Sequence, residues 1–496
     1  MKDFIYLVLK LTYNLFRRPR TFFKYMSVSR ISDVFTLLRE DGKDAAVNRL
    51  NELLLGMHGT GGACPFAHNS SLSVSEVFKS DKLFRIITPG HTVFIAKLME
   101  AELKKLGIKS EIVSQFGGTI PLDSESAELP HIVICPQVYS FMPPFYMAVQ
   151  MEQTVSGRWL SSAYFNMLER AHIVFDYSLE NIRFFGGNEK AENIPFYYLP
   201  VNYLPDEYAD SHGKDMDVLF FGDNSVERRR KILDSLSEDF NIKVVCGTYG
   251  EDMLDIIRNS KIVLNLHYYE GALLETTRIY EVLSQNSSLV ISERSADVFE
   301  DKKLEGIVDF VDTGDIGALR DRIAYWLSHE DERAAKVSEN AAFLRSKAND
   351  FSFFFMRALL ANDIIDFETF YKYQKNSFGF DGERVLINPI ERENAGSLFE
   401  KKPCGFRFFP ELLHKDDGKG EELSLKFLLR KAGEEGLERL IVCRDEAALL
   451  SENTEAELGS LISDSLKTGA EPFSDGSAIG VFRPGKALLP DRLPQA

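Results

Sequence analysis

The chain has 496 residues, a formal net charge of -17 and 44% hydrophobic residues. The length predicts two to four domains, and the composition is that of an ordinary soluble globular protein. The negative charge argues against nucleic acid as a general partner, although it leaves room for an acidic substrate in a local basic pocket. The five cysteines are scattered without a C-x-x-C pair, and three follow apolar strand-like runs. This usage predicts buried thiols in a reducing compartment, and so a cytoplasmic location.

The amino-terminal segment, MKDFIYLVLKLTYNLFRRPRTFFKYM, differs from the rest of the chain in being basic and apolar. Its apolar run is interrupted at Lys10 and is too short to span a bilayer. Two interpretations stay open. Residues 1–26 form a peripheral helix on the anionic face of the inner membrane, or they form a helix that packs on the protein's own core. Helical spacing continues beyond them, so we predict a helical basic extension over residues 1–78.

From Phe84 onward, apolar strand-like runs alternate with helical segments. The first runs are LFRIITP, KSEIVSQF, HIVICPQVY, YMAVQME, AHIVFDYS and PFYYLPV. This alternation predicts a parallel, doubly wound sheet, and we assign residues 79–208 to a first Rossmann-like lobe. After the turn-rich NYLPDEYADSHGKD a second alternation starts at MDVLFFG, which we assign to a second Rossmann-like lobe over residues 209–375. Its run DIGALRDRIAYWLSHEDERAAKVSENAAFLRSK is predicted to be one helix. Residues 376–496 predict a small α/β segment, so the fold class is α/β with two Rossmann-like lobes.

The stretch Lys261–Arg294 has the pattern strand, loop, helix, strand. In α/β proteins ligands bind where strand carboxyl ends meet the amino end of a helix. Arg278 and Glu281 lie one helical turn apart and therefore on one face. A guanidinium group suits a diphosphate, and a carboxylate one turn deeper suits two vicinal ribose hydroxyls. The alternative is an intrahelical ion pair between the two side chains.

Five further residues of the second lobe are candidates for the same site. Gly222 follows the first strand of the lobe and would let the backbone approach a phosphate or sugar closely, although a G-x-G-x-x-G dinucleotide pattern is absent. Arg228, the first of three consecutive arginines, is a candidate phosphate ligand or a solvent-exposed residue. Glu275 precedes the helix, and Thr276 or Thr277 would cap it or contact phosphate.

The first lobe contributes residues at three predicted strand ends. His91 would act as a general base because its ordinary pKa lies near neutrality, or it has a structural role at the helix start. Glu152, next to Gln153, would deprotonate an acceptor hydroxyl, or it would simply bond to backbone amides. Asp176 or Ser178 is predicted to cap the helix that follows.

Three features of the chain recur together in a known family: the two lobes, FFG at the first turn of the second lobe, and a block with N-L-H, a later Glu and R-x-x-E-x-L. In these features the chain resembles the GT-B glycosyltransferases. The resemblance covers residues 80–350 and is closest to bacterial enzymes with an R-x-x-E helix. The commoner E-x(7)-E pair would need an acid at Leu273. The resemblance implies that Glu281 holds the ribose of a nucleotide-sugar donor, that Arg278 holds its diphosphate, and that the first lobe is the acceptor side. No D-x-D-type metal site is apparent in either lobe, and His267 is isolated. A helix dipole and an arginine can neutralise the leaving diphosphate, so neither a metal nor a cofactor is expected.

The tail has a resemblance of its own. RVLINPIERE, GFRFFPEL and SLKFLLRKAGEEGLERLIVCRDEA resemble the front half of a lipooligosaccharide-type (family 25) glycosyltransferase domain. That family has a Cys-Glu-Asp-Asp motif where this chain has Cys443, Arg444, Asp445 and Glu446. A basic residue inside the acidic cluster weakens a metal–diphosphate site. We therefore interpret the tail as a degenerate or truncated module, kept for packing or for binding a partner.

The sequence as a whole predicts a cytoplasmic glycosyltransferase that uses a nucleotide sugar. Its acceptor would be a glycan or a lipid-linked molecule in surface polysaccharide biosynthesis at the inner membrane face. Glu152 or His91 would be the base if the reaction inverts, whereas a retaining reaction would not need such a base. Two alternatives remain: a non-catalytic scaffold or binding protein of the same fold, and another nucleotide-sugar enzyme such as an epimerase.

Overall fold

The computed structural model describes residues 34, 35, 39, 74–79, 81–115, 118–155, 160–204, 214–347, 349–391, 405–416, 418–444 and 478–484. The predicted membrane contact of residues 1–26 and most of the helical extension lie outside these residues. None of the helices within them is long and apolar enough to cross a membrane. The chain divides into two compact units. The first runs through Phe196 and from Pro200 to Lys347, and the second comprises Tyr197–Leu199 and the residues from Ala348 onward.

The first lobe is built on a parallel sheet. Its strands are β1 Phe84–Thr88, β2 Ser110–Ser114, β3 His131–Ile134, β4 Tyr146–Gln150, β5 Val174–Asp176 and β6 Phe196–Tyr198. The helices are α1 Val74–Phe78, α2 Val93–Lys105, α3 Ser162–Glu169 and α4 Leu179–Gly186. The strand order is β2-β1-β3-β4-β5-β6, and β1 to β5 pair in parallel. Every residue of β3 and β4 is buried, as expected of a parallel sheet with both faces covered.

The second lobe repeats this plan. Its strands are β7 Met216–Phe221, β8 Ile242–Val245, β9 Ser260–Asn265, β10 Leu289–Glu293 and β11 Asp309–Val311. The helices are α5 Glu227–Ser237, α6 Glu251–Arg258, α7 Thr276–Ser284, α8 Val298–Lys303, α9 Ile316–Ser328 and α10 Glu330–Ser346. The order is β11-β10-β9-β7-β8 and all pairs are parallel. One apolar cluster joins these strands to α5 and α9, with Phe220, Leu264, Ile291, Leu236 and Ile323 among its members.

The order of the strands reverses once in each sheet. β1 lies between β2 and β3, and β7 lies between β8 and β9. At such a point the loops after neighbouring strands turn to opposite faces of the sheet and leave a crevice at the strand carboxyl ends. The predicted α/β fold with two Rossmann-like lobes, of the GT-B type, is therefore confirmed, and its topology places a crevice at the end of β1 and another at the end of β7.

The prediction of a single long helix at the end of the second lobe is wrong. The structure has two helices, α9 and α10, separated at His329, whose φ of -115° and ψ of 67° are not helical. Three acidic residues follow in the first turn of α10. Negative charge favours the amino end of a helix, so this run starts a new helix instead of extending the old one.

The second unit contains a smaller sheet. Its elements are α11 Asp350–Ala361, α12 Phe367–Gln374, β12 Arg384–Asn388, β13 Arg407–Pro410, α13 Lys419–Glu434, β14 Leu440–Cys443 and β15 Ile479–Phe482. The order is β13-β12-β14-β15, with β15 antiparallel to β14. The sequence assigns α11 and α12 to the second lobe, whereas the structure groups them with the tail. Aromatic rings explain the grouping, because Phe353 of α11 packs on Phe370 and Phe409, and Phe370 packs on Phe427.

Only part of the altered acidic motif of the tail can be described. Arg444 donates to Glu421 on α13 at 3.0 Å, which gives this basic residue a structural partner. The next two residues, 445 and 446, lie outside the described residues. The resemblance of the tail to a family 25 domain therefore stays a prediction.

Candidate active site

A cavity of about 420 Å³ lies in the first unit, between the carboxyl ends of its two sheets. The loops after β1, β3, β4 and β5 line it from the first lobe. The loops after β7 and β8 and the start of α7 line it from the second. Of the predicted site residues all but Arg228 line this cavity, namely His91, Glu152, Gly222, Glu275, Thr276, Thr277, Arg278 and Glu281. The structure thus joins residues from strand ends that are far apart in the sequence.

The guanidinium group of Arg278 is held against the backbone of Gly222. Gly222 has a φ of 132°, and a Cβ atom added there would lie 2.8 Å from Nη2 of Arg278. Nη1 of Arg278 donates to Oδ1 of Asn265 at 2.6 Å, and the group also lies over the rings of the two phenylalanines that end β7. Burial, and then neighbouring Arg229, lower the pKa of Arg278 to about 10. It remains a cation at neutral pH, held in one place at the cavity wall.

Glu281 lies one turn further along α7 and is half-buried. Its carboxyl group has no hydrogen bond or ion pair with any other described residue, so Arg278 and Glu281 do not form the intrahelical ion pair considered above. Burial raises the pKa of Glu281 to about 7, while Lys97 and Arg278 act in the opposite direction. The cavity therefore contains a carboxyl group whose two oxygen atoms are both available to a ligand.

Glu275, at the start of α7, is already engaged by the protein. Nδ1 of His267 lies 2.7 Å from its Oε2, and Nε2 of His267 lies 3.0 Å from the carbonyl oxygen of Arg294. Both partners accept hydrogen bonds, so both ring nitrogens must carry protons. Burial acts to lower the pKa of His267, but Glu275 outweighs it and the net shift is upward. Burial likewise acts to raise the pKa of Glu275, but His267 and then Arg278 and Arg229 bring it to about 2. The prediction that His267 is isolated is wrong.

Adjacent arginines of α5 have different roles. Arg228 pairs with the buried carboxylate of Glu293 through both Nη atoms and does not line the cavity, so the structure does not place it among the ligand-binding side chains. Arg229 does line the cavity. It is buried, donates to two backbone carbonyl groups and lies 3.3 Å from Oε1 of Glu275. Consecutive residues of a helix point about 100° apart. From three consecutive arginines the sequence can therefore predict that one faces the site, but not which one.

The amino end of α7 itself faces the cavity. Thr276 and Thr277 are its first residues, and both line the cavity wall. The helix has no side-chain cap, and Oγ1 of Thr276 is buried without a hydrogen-bond partner in the described residues. The positive end of a helix dipole favours negatively charged oxygen atoms, and an unpaired buried hydroxyl is costly unless a ligand meets it. Arg278 lies in the same turn, so the wall suits a phosphate.

The opposite wall carries Glu152 and His91. Oε1 of Glu152 accepts a hydrogen bond from Nε2 of Gln137 at 2.8 Å. Nε2 of His91 lies 3.9 Å from Sγ of Cys135. The surrounding protein removes water from the imidazole and lowers the pKa of His91 to about 4, even though the residue is exposed towards the cavity. His91 is therefore neutral at pH 7 and can accept a proton, as can an ionised Glu152, so both predicted bases lie in the cavity.

The other predictions for this region concern helix caps and metals. Ser178 caps α4, since its Oγ accepts from the backbone N–H groups of Glu180 and Asn181. Within the part of the chain that the structure describes, no group of three or more His, Cys, Asp or Glu side chains is placed to hold a metal ion. That the reaction needs neither a metal nor a cofactor stays a prediction.

Two parallel sheets that share a cavity at their carboxyl ends, with an arginine and a free carboxyl group on one helix, define a two-lobed α/β protein of the GT-B type. Residues 228–349, which lie in the second lobe, match the family model described as "Glycosyl transferase-like". No curated protein matches the chain.

Several solved structures are similar to this chain. One is a T4 phage β-glucosyltransferase, with 14% identity and a TM-score of 0.33, covering 59% of this chain and 99% of that one. A second is an α-glucosyltransferase in complex with UDP-glucose and DNA, with 11% identity, coverage of 57% and 99%, and a TM-score of 0.39. A third is sucrose-phosphate synthase from Thermosynechococcus elongatus, with 11% identity, coverage of 53% and 94%, and a TM-score of 0.36. At these scores the similarities add nothing to the assignment of the site.

Proposed function

We propose that the chain is a glycosyltransferase that moves a sugar from a nucleotide-sugar donor to a glycan or lipid-linked acceptor. The observation that carries the proposal is the pair on α7: a guanidinium held in place at Arg278 and, one turn away, the unpaired carboxyl group of Glu281. A guanidinium group suits a diphosphate, and a carboxylate suits the vicinal hydroxyls of a ribose. The match of the second lobe to a glycosyltransferase-like family model supports the same reaction class.

In the proposed mechanism the donor lies with its diphosphate against Arg278 and the amino end of α7. Its ribose hydroxyls donate to Glu281, and its sugar points to the wall that carries Glu152 and His91. An acceptor hydroxyl attacks the anomeric carbon while the bond from that carbon to the diphosphate oxygen breaks. The electron pair leaves with the diphosphate, whose charge Arg278 and the helix end stabilise. In an inverting reaction the hydroxyl proton passes to Glu152 or His91, whereas in a retaining reaction, which would not need such a base, it passes to an oxygen of the leaving diphosphate.

We propose that the acceptor belongs to a surface polysaccharide or a lipid-linked glycan made at the cytoplasmic face of the inner membrane. The basic, apolar sequence of residues 1–26 supports this role, because such a segment suits an anionic membrane surface. Binding of the full chain to anionic but not neutral vesicles, with loss of binding when the arginines of residues 17–20 are replaced, tests it.

The proposed donor site is tested by calorimetry on the full chain with a panel of nucleoside diphosphates and nucleotide sugars. We expect at least one to bind, and Arg278→Ala and Glu281→Ala each to weaken it by about tenfold or more, since hydrogen bonds to charged groups contribute about 1.5–3 kcal/mol. Glu270→Gln is the matched control, because Glu270 is exposed in the loop before α7 and does not line the cavity. A wild-type chain that binds no member of the panel would support the scaffold alternative.

The epimerase alternative differs in its need for an acceptor. A glycosyltransferase leaves the donor sugar unchanged in configuration until a hydroxyl acceptor is added, apart from slow hydrolysis by water. The donor that binds is therefore incubated with the enzyme alone and followed by proton NMR. A new sugar isomer, formed without an acceptor and still attached to the nucleotide, would overturn the proposal in favour of an epimerase.

A further inference from the structure

The side chain of Gln153 joins the two lobes of the first unit. It follows β4 in the first lobe, and both polar atoms of its amide bond to the backbone of one residue of the second lobe. Nε2 donates to the carbonyl oxygen of Leu273 at 3.1 Å, and Oε1 accepts from the N–H of Leu273 at 3.0 Å. The orientation of the amide is determined by these partners, because the carbonyl can only accept and the N–H can only donate.

Leu273 belongs to the loop between β9 and α7, two residues before Glu275. Its side chain is buried, so its backbone groups are what it offers to the first lobe. The preceding residue, Ala272, accepts a backbone bond from Ala296 at 3.0 Å. Beside Ala296, Asp297 accepts a hydrogen bond from Ser178 of the first lobe at 2.8 Å. The first lobe therefore holds this corner of the second lobe at two points.

From these contacts we infer that Gln153 is a positioning residue that sets the place of the loop before α7 and, through it, of the donor-binding side chains. The inference rests on the proposed function. The loop continues directly into α7, where Arg278 and Glu281 lie within the next eight positions. Gln153 also lies next to Glu152 in the sequence, so one short segment of the first lobe carries a candidate base and holds the opposite wall of the same cavity.

The size of the effect follows from the two bonds. Without the amide, the backbone N–H and carbonyl of Leu273 lose their partners, and the loop populates other positions. A ligand that binds only the positioned loop then binds more weakly in proportion to the fraction of molecules in that state, which for two neutral hydrogen bonds is about tenfold. The loss of affinity should act through α7. It should therefore be smaller in a variant that already lacks Arg278, the main ligand contact on α7.

The test uses Gln153→Ala and Gln153→Glu in the full chain. The second variant keeps the shape of the side chain and the acceptor for the N–H of Leu273, but it places a carboxylate oxygen against the carbonyl. Glu251→Gln is the control, because it removes another contact between the lobes, the exposed ion pair of Glu251 with Lys97 at 3.0 Å, away from the loop. The readouts are the Kd of the best-binding nucleoside diphosphate and hydrogen exchange of residues 266–275 in the ligand-free protein.

We expect both Gln153 variants to exchange faster than wild type in residues 266–275 and to bind about tenfold more weakly. Glu251→Gln should match wild type in the exchange of residues 266–275. In an Arg278→Ala background, Gln153→Ala should cost clearly less than in wild type, because contacts that act through one element are not additive. Unchanged exchange in the loop, or a fully additive loss of affinity, would overturn the inference. If wild type binds no nucleoside diphosphate, the proposed function fails, and loop exchange alone still decides whether Gln153 holds the loop.

Discussion

Gly222→Ala is the substitution whose effect on the proposed donor site can be worked out most fully from the structure. The new Cβ would lie 2.8 Å from Nη2 of Arg278, whereas ordinary contacts between such atoms are about 3.4 Å or longer. The guanidinium group is the end of a flexible side chain, so we expect it to move by about 0.6 Å, the difference between 3.4 and 2.8 Å, while the protein stays folded. This movement alters the 2.6 Å hydrogen bond from Arg278 to Asn265 and the proposed contact of Arg278 with the diphosphate.

Two separate effects should be measured. The first is on stability, because the φ of 132° at Gly222 is strained for a residue with a side chain, at a cost of about 1–3 kcal/mol. The second is on binding, because a displaced charge-assisted hydrogen bond should cost about tenfold in Kd. Urea unfolding measures the first effect and calorimetry with a nucleoside diphosphate measures the second.

Gly306→Ala is the matched control for Gly222→Ala. Gly306 also has a positive φ, of 76°, but no atom lies within 4 Å of the Cβ that would be added there. We expect it to reduce the free energy of unfolding and to leave the affinity for the nucleoside diphosphate unchanged. If Gly222→Ala binds the nucleoside diphosphate as tightly as Gly306→Ala does, Arg278 does not contact the diphosphate from its place beside Gly222.

Three further predictions concern other charged groups. Because burial raises the pKa of Glu281 to about 7, its carboxyl group ionises as the pH rises through 7, so donor affinity should increase from pH 6 to pH 8 and Glu281→Gln should remove the increase. Arg228→Ala leaves the buried carboxylate of Glu293 without its cationic partner, although the N–H groups of His267 and Gly314 still donate to it, and should lower the free energy of unfolding by about 3 kcal/mol, with donor affinity of the folded protein nearly unchanged. Burial also raises the pKa of Asp297 to about 6 from 3.8, so the folded state holds this proton more tightly than the unfolded chain, and its contribution to stability is lost as the pH rises from about 4 to 6. Asp297→Asn should flatten that dependence in urea unfolding.

Each of these three predictions would be contradicted by a specific result. A pH dependence that persists in Glu281→Gln would assign it to another group, such as the ligand's own phosphate. A large loss of donor affinity in Arg228→Ala would return that residue to the binding site. A steeper fall of stability with pH in Asp297→Asn would reverse the sign that burial gives this carboxyl group.

The strands were predictable because buried parallel strands are short, continuous apolar runs with few other interpretations. HIVI in β3 and KIVLN in β9 are of this kind, and both lie where the sequence predicted them. Since parallel strands share one carboxyl edge, polar residues that follow such runs must gather there. For that reason His91, Glu152 and Gly222 could be expected near one cavity before any contact was known.

Contacts made through loops were not predictable. His267 and Glu275 are only eight positions apart, but their pairing depends on the path of the intervening loop, which no periodicity describes. The bond from Gln153 to Leu273 spans 120 positions and needs the two lobes in place. The absence of an acid at Leu273 was visible in the sequence, whereas the use of its backbone by the other lobe was not.

The central claim is that Glu281 binds the ribose of a nucleotide donor whose diphosphate lies against Arg278. It is tested most directly by comparing a nucleoside diphosphate with its 2′,3′-dideoxy form, by calorimetry on wild type and on Glu281→Ala. Wild type should prefer the ribose form by about tenfold or more, because only that form offers hydroxyls to the carboxylate. Glu281→Ala should bind the two forms equally. If the variant keeps the wild-type preference, the ribose does not lie on Glu281 and the account of the donor site is wrong.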